Sequence, residues 1–307
     1  MARNLTTACA TVFIGTLYPL ALEVITGDKI SVGAPFFNLT FAPLFVPLLI
    51  AVPFGPMLTW KRGDLLGAAQ RLMAAGIVAL VAIAIVWAWV RGGSALAPLA
   101  IGLAIFVVAG AVSDLVERIG FFHNPFAISL RRARGLPRSI WGTAFAHAGL
   151  GVALIGIVCE TTWNSEFIGT MKPNDVTRIA GYELKLDGLS QRQGPNYREL
   201  VASFDVSSGG RHISVMTPSK HNFTTRGAST TEAALLARGV SQLYISLADL
   251  TPDGGVTVRI YHKPLVLLIW FGPVLMALGG ALSLSDRRLR VGAPKPAKAL
   301  RGLQAAE

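Results

Sequence analysis

The feature that most constrains this chain is a series of apolar runs, each about as long as a lipid bilayer is thick. A helix needs roughly 20 apolar residues to cross about 30 Å of hydrocarbon, and such runs occur at about 5 to 25, 38 to 58, 72 to 91, 95 to 113, 140 to 160 and 265 to 285. Backbone polar groups in lipid must be satisfied within the segment, so each run predicts a transmembrane helix, six in all. The composition agrees, because 52% hydrophobic and 15% charged residues over 307 positions exclude an ordinary soluble domain. Tyr18, Pro19 and Glu23 occupy the far end of the first run and no small-residue cleavage site follows it, so it reads as a helix rather than a cleaved signal.

The formal net charge of +11 lies in short clusters beside these runs, without interleaved aromatics. That pattern suits lipid headgroups and argues against nucleic acid as a partner. Lys61, Arg62 and Arg71 lie between the second and third runs, and Arg118, Arg131, Arg132, Arg134 and Arg138 between the fourth and fifth. Further Lys and Arg follow from Arg287 to Arg301, whereas the opposite side offers only Lys29 and Arg91 in its short loops. The positive-inside rule then predicts cytoplasmic termini and an outward segment at about 161 to 264. The cluster at 131 to 138 reads as a topology anchor on anionic lipid.

The outward segment is polar but patterned. Alternation in Tyr182–Leu186, Leu200–Val206, His212–Met216, Gln242–Leu247 and Val256–Tyr261 predicts strands. Ser207–Gly210 and Pro252–Gly255 are the turns between them. A short helix is expected at Thr231–Arg238, with Thr230 or Thr231 as its N-cap. The expected fold is a membrane α-helical bundle of about six transmembrane helices plus a small periplasmic antiparallel β domain. Residues 1–160 hold five helices, 161–264 the β-rich domain, 265–285 the sixth helix, and 286–307 a basic cytoplasmic tail without folded structure.

One ionisable residue stands inside a span. His147 lies in Trp141-Gly-Thr-Ala-Phe-Ala-His-Ala-Gly-Leu-Gly151, and an imidazole in hydrocarbon needs a partner or a metal to offset its burial. Ala144, Ala148 and Gly151 fall near the same helical face and allow close approach of a neighbouring helix or a flat macrocycle. Two readings stay open at this point: a histidine hydrogen-bonded between helices, or an axial ligand to heme iron. The other histidines, His123, His212, His221 and His262, lack metal-ligand spacing and read as surface residues. Asp114 and Glu117 close the fourth span, where pairing with Arg118 and its neighbours is favoured over proton relay. Cys9 and Cys159 sit in different runs, with no Cys-x-x-Cys motif, and read as packing residues. No nucleotide loop, catalytic triad or carboxylate pair stands out, so no catalytic residue is assigned.

Several motifs together resemble a known family: Gly15-Thr-Leu-Tyr-Pro19, Lys29-Ile-Ser-Val-Gly33 with Phe37-Asn38, the Gly135-Leu-Pro-Arg138 to Ala146-His147 run, and Thr230-Thr-Glu-Ala-Ala234. They resemble the C-terminal half of the CcmF family, the heme lyase subunit of System I cytochrome c maturation. The resemblance implies a protein of the bacterial inner membrane that promotes attachment of heme, brought by a periplasmic heme chaperone, to the Cys-x-x-Cys-His of an apocytochrome c kept reduced by a thiol-reducing partner. It also implies an internal heme b held by two transmembrane histidines, of which His147 matches the second. The first ligand and the tryptophan-rich heme-handling segment belong to the N-terminal half of the family, so this chain reads either as one product of a split gene or as a truncated copy. Two other functions compete: a membrane assembly scaffold whose outer domain docks partners, and a heme or solute exporter. An exporter requires a polar pathway through the bundle, which these spans do not offer.

Overall fold

The apolar runs form helices, but not all of them form single rods. The computed structural model describes residues 2–30, 32–40, 42–58, 64–90, 94, 96–223 and 227–286. Two compact units divide the chain: Met1–Trp89, Ile101–Gly151 and Gly272–Glu307 in one, Val90–Ala100 and Val152–Phe271 in the other. The helices in chain order are α1 (Ala2–Thr26), α2 (Ala34–Thr40), α3 (Ala42–Ala51), α4 (Leu65–Arg71), α5 (Met73–Trp89), α6 (Leu96–Ile119), α7 (Phe126–Gly135), α8 (Arg138–Trp163) and α9 (Leu268–Leu284). Three are long and apolar enough to cross a membrane: Thr6–Thr26 within α1, α6 and α8. A fourth crossing results if α4 and α5, bent by 55° at Leu72, count as one.

The remaining two runs are shorter in the structure than the sequence suggests. In the second run α3 gives way to a 3₁₀ segment at Val52–Met57 that contains Pro53 and Pro56, since each proline removes a backbone donor and crowds the preceding turn. The last run yields the 17-residue α9. The basic tail from residue 287 onward, with its expected lack of structure, lies outside the described residues.

Glycine sets how α8 packs. Gly142, Gly149 and Gly156 recur every seven residues on one face. A Cβ on Gly142 would sit 2.5 Å from the carbonyl oxygen of Gly279, and one on Gly149 would sit 2.6 Å from that of Gly272. A Cβ on Gly151 would meet the carbonyl oxygen of Ala104 at 2.8 Å. Bare backbone thus lets α9 and α6 press against different faces of α8, the contact type that replaces hydrophobic attraction between helices in lipid.

The segment between α8 and α9 is a β-sandwich. Its strands are β1 (Ser165–Met171), β2 (Val176–Ile179), β3 (Tyr182–Gln193), β4 (Tyr197–Ser208), β5 (Arg211–Met216), β6 (Ser219–Phe223), β7 (Ala228–Glu232), β8 (Ala234–Arg238), β9 (Ser241–Leu250) and β10 (Val256–Lys263). One sheet has the order β1-β10-β9-β8, the other β2-β3-β4-β6-β7 with β5 beside β4. Alternate residues fill the space between them: Leu184, Phe204 and Val206 from one sheet, Ile245, Val258 and Ile260 from the other, all at 0% exposure. The five predicted strands and both turns are present. The helix expected at Thr231–Arg238 is not: this stretch is β7 and β8, which change sheets at Ala233. Pairing of β7 with β6 and of β8 with β9 overrides the helix propensity of Ala234-Leu-Leu-Ala-Arg238.

The sandwich leaves and rejoins the helices at one point. β1 follows α8 directly and pairs in antiparallel register with β10, Ser165 opposite His262. Beside this junction Lys263 Nζ lies 3.2 Å from Glu160 of α8 and faces the rings of Tyr244 and Tyr261 at 5.8 and 5.9 Å. Aromatic rings with a lysine at a helix end form an interfacial anchor.

Candidate functional site

The start of α8 is fixed by Asp286, whose Oδ2 accepts hydrogen bonds from the Ser139 amide at 3.0 Å and its hydroxyl at 2.8 Å. Eight residues on, at 1.5 Å each, His147 stands about 12 Å along the helix. Its side chain projects about 40° around the axis from that of Gly151, the residue that touches α6. The neighbouring helix, α6, is therefore what takes up the close approach offered by the small residues at Gly151.

Among the described residues His147 forms no hydrogen bond and no ion pair. The imidazole, unpartnered among the described residues, fits a heme iron chemically.

A charged group lies within reach. Asp114, 7% exposed, occupies the buried face of α6 with Ala104, Val107 and Ala111 and interacts electrostatically with His147. Both Asp114 carboxylate oxygens accept from Arg118 Nε at 2.9 Å. Arg118 also donates to the Pro56 carbonyl at 3.2 Å. Glu117 pairs with Arg71 at 3.1 Å. Pairing, as the sequence suggested, accounts for both carboxylates.

The outer histidines diverge from expectation at one position. His212 is exposed, 2.5 Å from Asp205. His221 is buried instead, with Nε2 3.0 Å from Glu199 Oε2 and 3.1 Å from Ser219 Oγ. The Tyr197 ring stacks on it at 4.2 Å. Pairing of β6 on both sides, with β4 and β7, encloses it. His262 packs near Tyr182 at 5.9 Å, and burial pushes its pKa below the usual histidine value. Among the described residues no three metal-binding side chains come together.

Residues 162–264 match the family described as the CcmF C-terminal beta-sandwich. The chain is 73% identical over 303 residues to the cytochrome c-type biogenesis protein CycK of Bradyrhizobium diazoefficiens, covering 99% of this chain and 46% of that one. It is 36% identical over 288 residues to the cytochrome c-type biogenesis protein CcmF of Pseudomonas aeruginosa, covering 92% of this chain and 42% of that one. A solved structure of cytochrome c heme lyase CcmF shares the fold, with a TM-score of 0.68 and 21% identity over 93% of this chain and 44% of that one. The chain therefore spans about half the length of the relatives it matches. Over that half, helices and sandwich alike, it belongs to the CcmF family.

Proposed function

We propose that this chain is the C-terminal part of a cytochrome c heme lyase, promoting covalent attachment of heme to the Cys-x-x-Cys-His of apocytochrome c. The observation that carries the reading is His147: an intramembrane imidazole without a hydrogen-bond partner among the described residues, on a family fold whose relatives are named for cytochrome c biogenesis. His147, with a histidine of the N-terminal half, would hold a b-type heme, which would supply one-electron transfer chemistry. At its depth a charged imidazolium is costly and a neutral, iron-bound ring is not.

The remaining parts follow from charge and topology. The shorter apolar helices, Pro43–Met57 and Leu268–Leu284, complete six crossings of the bacterial inner membrane with both termini cytoplasmic. The sandwich then faces the periplasm, where the heme chaperone, the apocytochrome and its thiol-reducing partner dock. Alkaline phosphatase fused after Ser208 is expected to be active and a fusion after Gly63 inactive.

The decisive test uses the chain purified with its N-terminal half. His147→Ala is expected to remove the reduced b-type absorption while protein level and membrane insertion persist. Unchanged absorption in that variant rejects ligation and leaves the chain as a docking scaffold.

A further inference from the structure

β3 is twelve residues long, yet its outer neighbour β2 covers only Tyr182–Lys185. Leu186 ends that pairing, accepting from the Asn174 amide at 2.6 Å and donating to the Asp175 carbonyl at 2.9 Å. From Asp187 to Gln193, β3 pairs with β4 alone. Among the described residues its outer edge there presents a row of unpaired backbone donors and acceptors, which is a template for another strand.

At the same end the two sheets part. Leu200 of β4, 9% exposed, is the last apolar residue facing inward, and the positions beyond it turn polar: Arg198 on β4, Gln193 opposite it on β3, Asn222 opposite it on β6. A cleft of about 730 Å³ opens here, closed on the far side by Asp249 and Leu250 of β9. Register places it at the end of the sheet opposite the α8–β1 junction, since Val256 pairs with both Leu250 and Met171 at one end while His262 pairs with Ser165 at the other. Six residues at about 3.4 Å separate the two ends by roughly 20 Å.

The charges are unbalanced. Lys220 is paired with Asp249 at 2.5 Å and Glu199 with His221 at 3.0 Å. Arg192 and Arg198 are exposed and have no hydrogen bond or ion pair among the described residues. Two free guanidinium groups thus stand beside an open strand edge.

We propose that the Asp187–Gln193 edge and the adjoining cleft receive an extended polypeptide with acidic side chains, which adds to β3 as a further strand. The main chain of the guest pairs with the open edge and supplies affinity with little sequence demand. Alternate guest side chains project to opposite faces, one set over the cleft toward Arg198 and the amides, the other toward Arg192. Carboxylates in these positions form charge-assisted hydrogen bonds with the guanidinium groups. An extended segment suits the edge because its main chain is free along its length to pair with it. The site is independent of His147 and of heme content.

The test uses the full chain in phosphatidylcholine nanodiscs and two fluorescein-labelled ten-residue probes, one alternating Asp and Val, the other Lys and Val. Fluorescence anisotropy is expected to show binding of the Asp peptide only, weakening with salt. Arg192→Glu with Arg198→Glu is expected to lower its affinity by about tenfold or more. N–H groups alternate between the two sides of a strand, so of Ser190→Pro and Gln191→Pro one removes an outward donor and the other a ladder donor. The outward one is expected to keep the wild-type melting temperature and lose the peptide. Equal binding of both probes overturns the proposal, and so does full binding by the proline variant that keeps its stability.

Discussion

The sandwich and the helices bury apolar surface against different surroundings, and their side chains record it. In the sandwich Leu184, Phe204 and Ile245 are fully enclosed, as expected where water drives the core together. In the helices Phe13 is 64% exposed, Leu80 66% and Trp89 85%, because lipid tails are as apolar as the residues facing them. What specifies helix arrangement is instead the close approach of backbones at glycine. The lesson is that volume decides in one region and the absence of volume in the other.

Substitutions that exchange the two rules break this contrast. Phe204→Ala, the largest effect, leaves a cavity in the sandwich and is expected to cost about 3–5 kcal/mol; limited proteolysis should then cut the domain while the helices resist. Gly149→Val places atoms where the Gly272 backbone stands and is expected to cost about 1–3 kcal/mol by overpacking, read as a lower melting temperature in detergent. Gly280, on the same helix as Gly272 with nothing within 4 Å of a new Cβ, is the control, and Gly280→Val should melt as the parent does. Equal damage from both would show that glycine matters for the helices themselves rather than for their contact.

Smaller effects sharpen the comparison through charge. Asp114→Asn strands Arg118 and is expected to destabilise by about 1–2 kcal/mol, discounted because Arg118 is partly solvated. Adding Arg118→Gln should restore part of the loss, and strict additivity in the double variant would deny that the pair interacts. His262 titrates below its usual 6.5 because of burial, so the unfolded chain binds more protons there. Stability should therefore rise with pH up to about 6.5 and then level off. His262→Gln should flatten that rise in a melting-temperature series. Arg178→Ala removes an exposed pair with Glu183 at 2.8 Å and is expected to cost under about 1 kcal/mol.

Sequence reading succeeded where one local rule governs. Strict alternation exposed β9 and β10 as strands. It failed where the deciding partner is distant. Ser219-Lys-His-Asn-Phe223 carries too little apolar signal to declare a strand, and only β4 and β7 on either side make it one and bury His221. Ala234–Arg238 has helical propensity and becomes β8 through β9. The glycines of α8 are visible in sequence, but their purpose depends on Gly272 and Gly279 far along the chain. α3 gives way to a proline-containing 3₁₀ segment at Val52–Met57 although the hydropathy of the second run is continuous.

The pairing of β1 with β10 also orders events in time. During synthesis β1 emerges first and its register partner last, with β2 to β9 between them. The first sheet cannot close until almost the whole segment has been synthesised, which makes its closure a slow, high-contact-order step. β10 is thus both the last strand to be made and the one that joins β1 to its sheet, directly before the chain enters α9.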